Sequence, residues 1–193
     1  MGFQDLKAFN LVLLAKQGWR LQTNTNSLVH KVFKARYFPN GDYLSAELGN
    51  HPSYAWRSIL AAQSIVRQGH QWQVGNGQNL DIWNDKWLPQ PSAFKLTANP
   101  LGVHTVPKCL FSSTLTRAWQ TDMVRQYFSP NDVVSILGIP LSIRLHRDRM
   151  IWAYTSKGTF SVKSAYKVAM AVDSTGSLGE SSSNQHQTRF FTI

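Results

Sequence analysis

The sequence predicts a mostly helical α+β fold: N-terminal helices followed by a β-hairpin, then short helices, a second β-hairpin and a short helix. Three observations carry this. Apolar residues recur at helical spacing behind capping residues through the first 70 positions. Residues Trp72 to Trp83 alternate apolar and polar around Gly75-Asn76-Gly77. Residues 147–162 alternate again around Ser156-Lys157-Gly158.

The elements follow in order. Asp5 offers an acceptor to the free N–H groups of a helix running through Leu6, Phe9, Leu13 and Leu14 toward Trp19. Gly18 costs that helix about 1 kcal/mol relative to Ala, and marks close packing or an early end. A second helix starts near Ser27, with Leu28, Val32 and Ala35 on one face and Val29 and Phe33 beside them. Pro39 and Asn40-Gly41 end it. Ser53 caps a third helix, with Ala55, Ile59, Ala62 and Val66 at helical spacing, Trp56 on the flank and Gly69 as the stop.

In the first hairpin Trp72 and Val74 face one way and Gln71 and Gln73 the other. Trp72, Trp83 and Trp87 are expected to pack on the helices before it, because an isolated hairpin is marginal. Residues 88–114 are broken by Pro89, Pro91, Pro100 and Pro107. Two short helices follow, one from Leu115 through Tyr127 and one begun by Ser129-Pro130 and stopped by Gly138. After the second hairpin Ser164 caps a helix from Ala165 to Val172. Residues 173–193, rich in Ser, Gly, Asn and Gln, are expected to be disordered.

Composition then narrows the function. The chain has 193 residues, 42% of them hydrophobic, enough for one core or two small ones. Lys and Arg number 20 against 10 Asp and Glu, a net charge of +10. Such an excess favours polyanionic partners, nucleic acid first and anionic membrane second. A basic but inert surface, or a piece of a protein whose acidic part lies elsewhere, fits the same balance. The single Cys109 rules out an internal disulfide and a Cys-rich zinc site within this chain. The N-terminus does not resemble a signal peptide, and the longest apolar run, Leu11 to Ala15, is too short to span a bilayer. An intracellular protein is expected, the nucleus included, with no membrane partner.

No catalytic constellation is evident. Asp81 and Asp85 could bind Mg²⁺ if other oxygen ligands converged, but Asp at such a place commonly holds a turn. The six histidines form no His-x-x-x-His pair, and Cys109 has no activating base beside it. The Gly-Asn-Gly turn lacks the rest of a phosphate loop. No cofactor or metal site is expected. What remains is basic and aromatic. Lys31, Lys34 and Arg36 beside Tyr37 form one candidate nucleic-acid patch, and Arg144, Arg147 and Arg149 beside His146 form another. A solvated helix face backed by core aromatics is the alternative for each.

The order of segments adds a resemblance. Gly2-Phe3-Gln4-Asp5-Leu6, Leu13-Leu14-Ala15-Lys16-Gln17-Gly18-Trp19-Arg20, Lys34-Ala35-Arg36-Tyr37-Phe38-Pro39 and Ser53-Tyr54-Ala55-Trp56-Arg57-Ser58-Ile59 resemble the region downstream of the polymerase core in plant non-LTR (LINE-type) retrotransposon reverse transcriptases. The stretch holding Trp72, Gly75, Gly77, Trp83, Asp85, Trp87 and Pro89 is similar to that family's Trp-rich signature. Asp148-Arg149-Met150-Ile151-Trp152 with Gly158 to Tyr166 looks like the lead-in to its zinc-binding domain.

The family's Tyr-x-Asp-Asp metal site, downstream Cys/His cluster and RNase H-like region do not occur in these residues. The resemblance therefore implies a fragment without polymerase activity. Residues 1–70 would be a post-palm, thumb- or connection-like region, 71–89 the Trp-rich hairpin and 90–147 a Pro-containing linker with short helices. Residues 148–172 would begin the zinc-binding-domain-like segment, and 173–193 would be the tail. Expected partners are RNA or DNA, bound without sequence preference, and the palm and zinc-binding segments of a parent polyprotein. A decayed or truncated product without activity, or a domesticated protein-interaction module, stands as the alternative.

Overall fold

Asp5 begins the first helix as its spacing predicts: the carboxylate accepts from the Lys7 and Ala8 N–H groups at 2.7 and 3.0 Å. Helix α1 then runs Leu6–Thr23. The structure is a computed structural model and describes residues 5–89, 94–96, 119–141 and 146–176. Its elements continue with α2 (Leu28–Tyr37), α3 (Tyr54–Ala61), α4 (Gln63–Gly69), β1 (His70–Gln73), α5 (Thr121–Tyr127), α6 (Pro130–Leu137), β2 (Arg149–Trp152) and α7 (Val162–Gly176). The fold is mostly helical α+β, as expected. It divides into a first unit, Met1–Gly69 with Phe160–Ile193, and a second, His70–Thr159.

In the first unit α1 is the centre, packed by α3, α4 and α7. Val12, Ala15, Trp19 and Leu21 of α1 are buried, together with Ile65 and Val66 of α4 and Ala165, Val168 and Ala169 of α7. The two chain segments of this unit meet where the Asp5 N–H donates to the Tyr166 hydroxyl at 3.0 Å. Trp56, expected on a flank, is instead fully buried. It stacks on Tyr37 with ring centroids 4.7 Å apart, and lies 5.7 Å from Phe38 and 5.9 Å from Phe33. Helix α2 departs further from its pattern. Leu28, Val29 and Val32 are exposed, and the helix's buried residue is His30, whose Nδ1 lies 2.6 Å from the Leu21 carbonyl. The periodicity located the helix but not the side that is covered.

Gly18 does not end α1. A Cβ there would collide with the Tyr43 phenol. Burial pushes that phenol's pKa up, and its hydroxyl donates to the Ile59 carbonyl at 2.8 Å, so the ring cannot swing away freely. Gly18→Ala is therefore expected to destabilise the protein by about 1–2 kcal/mol. The overpacking cost of about 1–3 kcal/mol outweighs a helix-propensity gain of about 1 kcal/mol. Urea denaturation checks the sign: a more stable variant would show that the Tyr43 ring can give way at little cost.

In the second unit the two expected hairpins are replaced by one long-range pair. Strand β1 pairs antiparallel with β2, matching His70 to Trp152 and Gln73 to Arg149. Residues 80–83, expected as the return strand, form a turn. Asp81 accepts from the N–H groups of Trp83 and Asn84 at 3.0 and 3.1 Å, and the Asp85 N–H donates to the Asp81 carbonyl at 2.9 Å. Local carboxylate capping thus overrides the Leu80/Ile82 alternation. On the other edge of β1 the Trp72 N–H donates to the Lys86 carbonyl at 2.6 Å, and the Gln71 amide to the Leu88 carbonyl at 2.8 Å.

The second hairpin is likewise a turn rather than a two-stranded ladder. Beyond β2, Gly158 takes φ of 66° and its carbonyl accepts from the Trp152 N–H at 2.9 Å. The tryptophans also pack on different helices from those expected. Val74, Ile82, Trp87 and Leu88 form a core with Val124 and Phe128 of the α5 region and Ile136 of α6, flanked by Trp72, Trp83 and Trp119. The helices that cover them follow in sequence.

Of the remaining elements, the expected third helix is broken at Ala62 into α3 and α4, α5 starts at Thr121 and leaves Trp119 outside it, and α7 extends to Gly176, into the stretch expected to be a disordered tail. Ser129 caps α6, accepting from the Asp132 N–H at 3.3 Å, with proline in the first turn. Helix α7 starts earlier than predicted, because Ser161 rather than Ser164 is the acceptor at its start: the Ser164 N–H donates to Ser161 Oγ at 3.2 Å. The expected helix start at Leu115, most of the irregular stretch to 114, His104, Cys109, and the tail beyond residue 176 lie outside the described residues.

Candidate functional site

Two places gather polar chemistry, one in each unit. In the second, the Gly-Asn-Gly turn does cradle an anion, and the anion is the chain's own. The Asp148 carboxylate accepts from Gly75 N–H at 2.7 Å and Gly77 N–H at 2.9 Å through one oxygen, and from Asn79 N–H at 2.9 Å through the other. These three converging donors form a backbone nest. The turn's N–H groups are aimed at residue 148, not across a hairpin, which is why no local return strand forms.

The two glycines answer different needs. Gly77 takes a positive φ of 67°. At Gly75 a Cβ would run into the backbone of His146 and Arg147, so only glycine lets the two segments close. Asp148 is buried, while Arg147 and Arg149 on either side are exposed. That alternation is expected of extended backbone. Arg149 Nε donates to the Gln73 side chain at 2.6 Å across the strand pair. Arg144 lies outside the described residues.

The signature residues frame this cradle. Trp72 lies on β1, Trp87 lies in the core described above and Trp83 packs against it. Trp87 Nε1 donates to the Ile82 carbonyl at 2.8 Å. Pro89 is exposed and Trp152 fully buried. Asp85 accepts from the Asp81 N–H at 2.8 Å. Burial pushes the Asp85 carboxyl up, and the Asp81 charge adds to this. Asp81, more exposed, is held low by the Asn84 amide first and by backbone N–H groups. Both carboxylates are therefore engaged in the turn. Among the described residues no group of three or more His, Cys, Asp or Glu is placed to hold a metal ion, and no helix is long and apolar enough to cross a membrane.

In the first unit the sequence cluster Lys31/Lys34/Arg36 is divided by the helix. Lys31 and Lys34 are one turn apart, whereas residues two apart point to different sides. Lys31 is exposed. The Lys34 ammonium donates to the Gly41 carbonyl at 2.8 Å and lies 5.9 Å from the Phe38 ring centroid. The exposed Arg36 guanidinium lies 5.5 Å from the Tyr37 ring centroid. The Tyr37 hydroxyl in turn accepts from the Ser53 N–H at 3.1 Å. Hydrogen bonding from Ser53 holds this phenol below the usual tyrosine range, and the Arg36 charge works in the same direction. Two of the three cations are thus pre-positioned on aromatic rings that Trp56 backs.

The sequence reading missed Asp148 as a structural acceptor, because nothing near it in sequence demands one. The available signal was the turn itself: a Gly-x-Gly loop without a phosphate-loop lysine still presents N–H groups that need an anion.

No family model and no solved structure matches the chain. Similar proteins include one named "Uncharacterized mitochondrial protein" from Arabidopsis thaliana, 36% identical over 88 residues, a match covering 46% of this chain and 57% of that protein. They also include one named "Putative ribonuclease H protein" from the same plant, 28% identical over 184 residues, covering 87% of this chain and 28% of that protein. The chain therefore spans less than two thirds of the length of either relative.

Proposed function

We propose that the chain is a non-catalytic segment of a retrotransposon reverse transcriptase-like protein, and that it contacts RNA or DNA without sequence preference through its basic surfaces. One observation carries the binding. The net charge is +10 with all ten carboxylates counted, and Asp5, Asp81 and Asp148 among them are held by main-chain N–H groups. Lys31, Arg36, Arg147 and Arg149 meanwhile face solvent. Such residues neutralise phosphates and position a nucleic acid without reading its bases. The retroelement origin is supported by the order of the sequence motifs, and by likeness over most of the chain to a longer protein whose name includes ribonuclease H.

Counterion release makes the test quantitative. Each phosphate contact contributes a slope of about −0.9 in log K against log salt for duplex DNA and about −0.7 for single strands. Lys31→Ala with Lys34→Ala is expected to weaken binding and to reduce the slope by about 1.4–1.8. Fluorescence anisotropy across a salt series reads both. No affinity for RNA or DNA at low salt would sink the proposal, and would favour a segment that only packs against its parent protein. The exposed Leu28, Val29 and Val32 edge of α2 would suit such packing.

A further inference from the structure

Tyr54 opens α3 with 84% of its surface exposed, the barest large hydrophobic side chain among the described residues. Its backbone is nevertheless fixed. The preceding Ser53 donates its N–H to the Tyr37 hydroxyl at 3.1 Å, and its side chain accepts from the Trp56 N–H at 3.2 Å. A bare aromatic ring therefore follows directly on Ser53, whose N–H is bonded to Tyr37 of the Arg36–Tyr37–Trp56 stack. In that stack the Tyr37 and Trp56 rings are nearly parallel, with an interplanar angle of 5°.

Resting on the nucleic-acid reading above, we propose that Tyr54 and Arg36 form a platform selective for single-stranded nucleic acid, with Tyr54 stacking on an unpaired base and the Arg36 guanidinium meeting a flanking phosphate. Stacking needs a base whose face is open, and a duplex keeps its faces inside its own stack. Every base has such a face, so the platform does not distinguish sequences. Arg36 suits this role better than a lysine would, because its planar guanidinium rests on Tyr37 and needs little further ordering. A charge patch alone would bind the denser phosphates of a duplex at least as well.

The test compares an oligothymidylate with its duplex on oligoadenylate, using the full chain and the Tyr54→Ala, Tyr54→Phe and Arg36→Gln variants. The wild type is expected to bind the single strand more tightly. Tyr54→Ala should weaken that binding about tenfold with the salt slope unchanged, and Tyr54→Phe should keep it. Arg36→Gln should reduce the single-strand slope by about 0.7. Tyr54 is exposed, so a melting curve matching wild type is expected and separates stacking from folding. If both nucleic acids bind but Tyr54→Ala changes neither, or weakens both equally, the platform is overturned and the general reading survives. If neither binds at low salt, the general reading falls and takes the platform with it.

Discussion

Asp148→Ala is expected to destabilise the second unit by about 3–5 kcal/mol, among the largest effects of any single substitution in this chain. The carboxylate satisfies three backbone donors at 2.7–2.9 Å, and those of Gly75 and Gly77 are buried. A buried donor left without a partner costs about 1–3 kcal/mol, so even partial rescue by water leaves a large loss. Asp148→Asn separates charge from geometry. Its one carbonyl oxygen can still serve Gly75 and Gly77, while its NH₂ must face the Asn79 N–H, donor against donor. An intermediate loss of about 1–2 kcal/mol is expected. Tryptophan fluorescence during urea unfolding is a suitable probe, because five of the seven tryptophans (72, 83, 87, 119 and 152) lie in the second unit. Equal and small losses for both variants would mean that the cradle is incidental.

Trp56→Ala is expected to cost the first unit about 3–5 kcal/mol, the usual range for emptying a large buried aromatic site. The indole is fully buried and touches Tyr37, Phe38, Phe33 and Tyr43, with centroids 4.7–6.3 Å away. Its Nε1 has no hydrogen-bond partner among the described residues. Trp56→Phe should be much milder, about 1–2 kcal/mol, because it keeps most of the ring packing and loses no hydrogen bond. The alanine variant should also weaken nucleic-acid binding beyond its fraction unfolded, since the ring that backs Tyr37 and Arg36 is gone. Denaturation curves for the two variants check the ranking, and equal losses would show that a smaller ring recovers none of the indole's packing.

The helices were legible because their signals are local. Asp5, Ser27, Ser53 and Ser129 each cap the helix that their position predicted. The strands were not, because their partners are far apart. Residues 70–73 alternate like one arm of a hairpin, but the other arm lies at 149–152, and no short-range pattern joins them. Alternation at Leu80 and Ile82 was overridden by the Asp81 carboxylate, which capped a turn within three residues. The exposed side of α2 and the burial of Trp56 depend on which elements pack together, which periodicity cannot specify. For the candidate site, Lys31, Lys34 and Arg36 stand close together in the sequence. The placing of Lys34 on Phe38 and of Arg36 on Tyr37, and the bare Tyr54, became visible only in three dimensions.

The Asp148 cradle also has a consequence in time. A ribosome delivers Gly75, Gly77 and Asn79 some 70 residues before the carboxylate that completes them. Until then the loop's donors can be met only by water, and β1 has no β2 beside it. The second unit therefore cannot close while its early part is emerging. It has to wait for a distant segment, which is the kind of long-range closure that slows folding. During that interval the tryptophans of residues 72–87 are exposed without their final cover. A pause in synthesis between residues 89 and 148 would leave the chain at its stickiest.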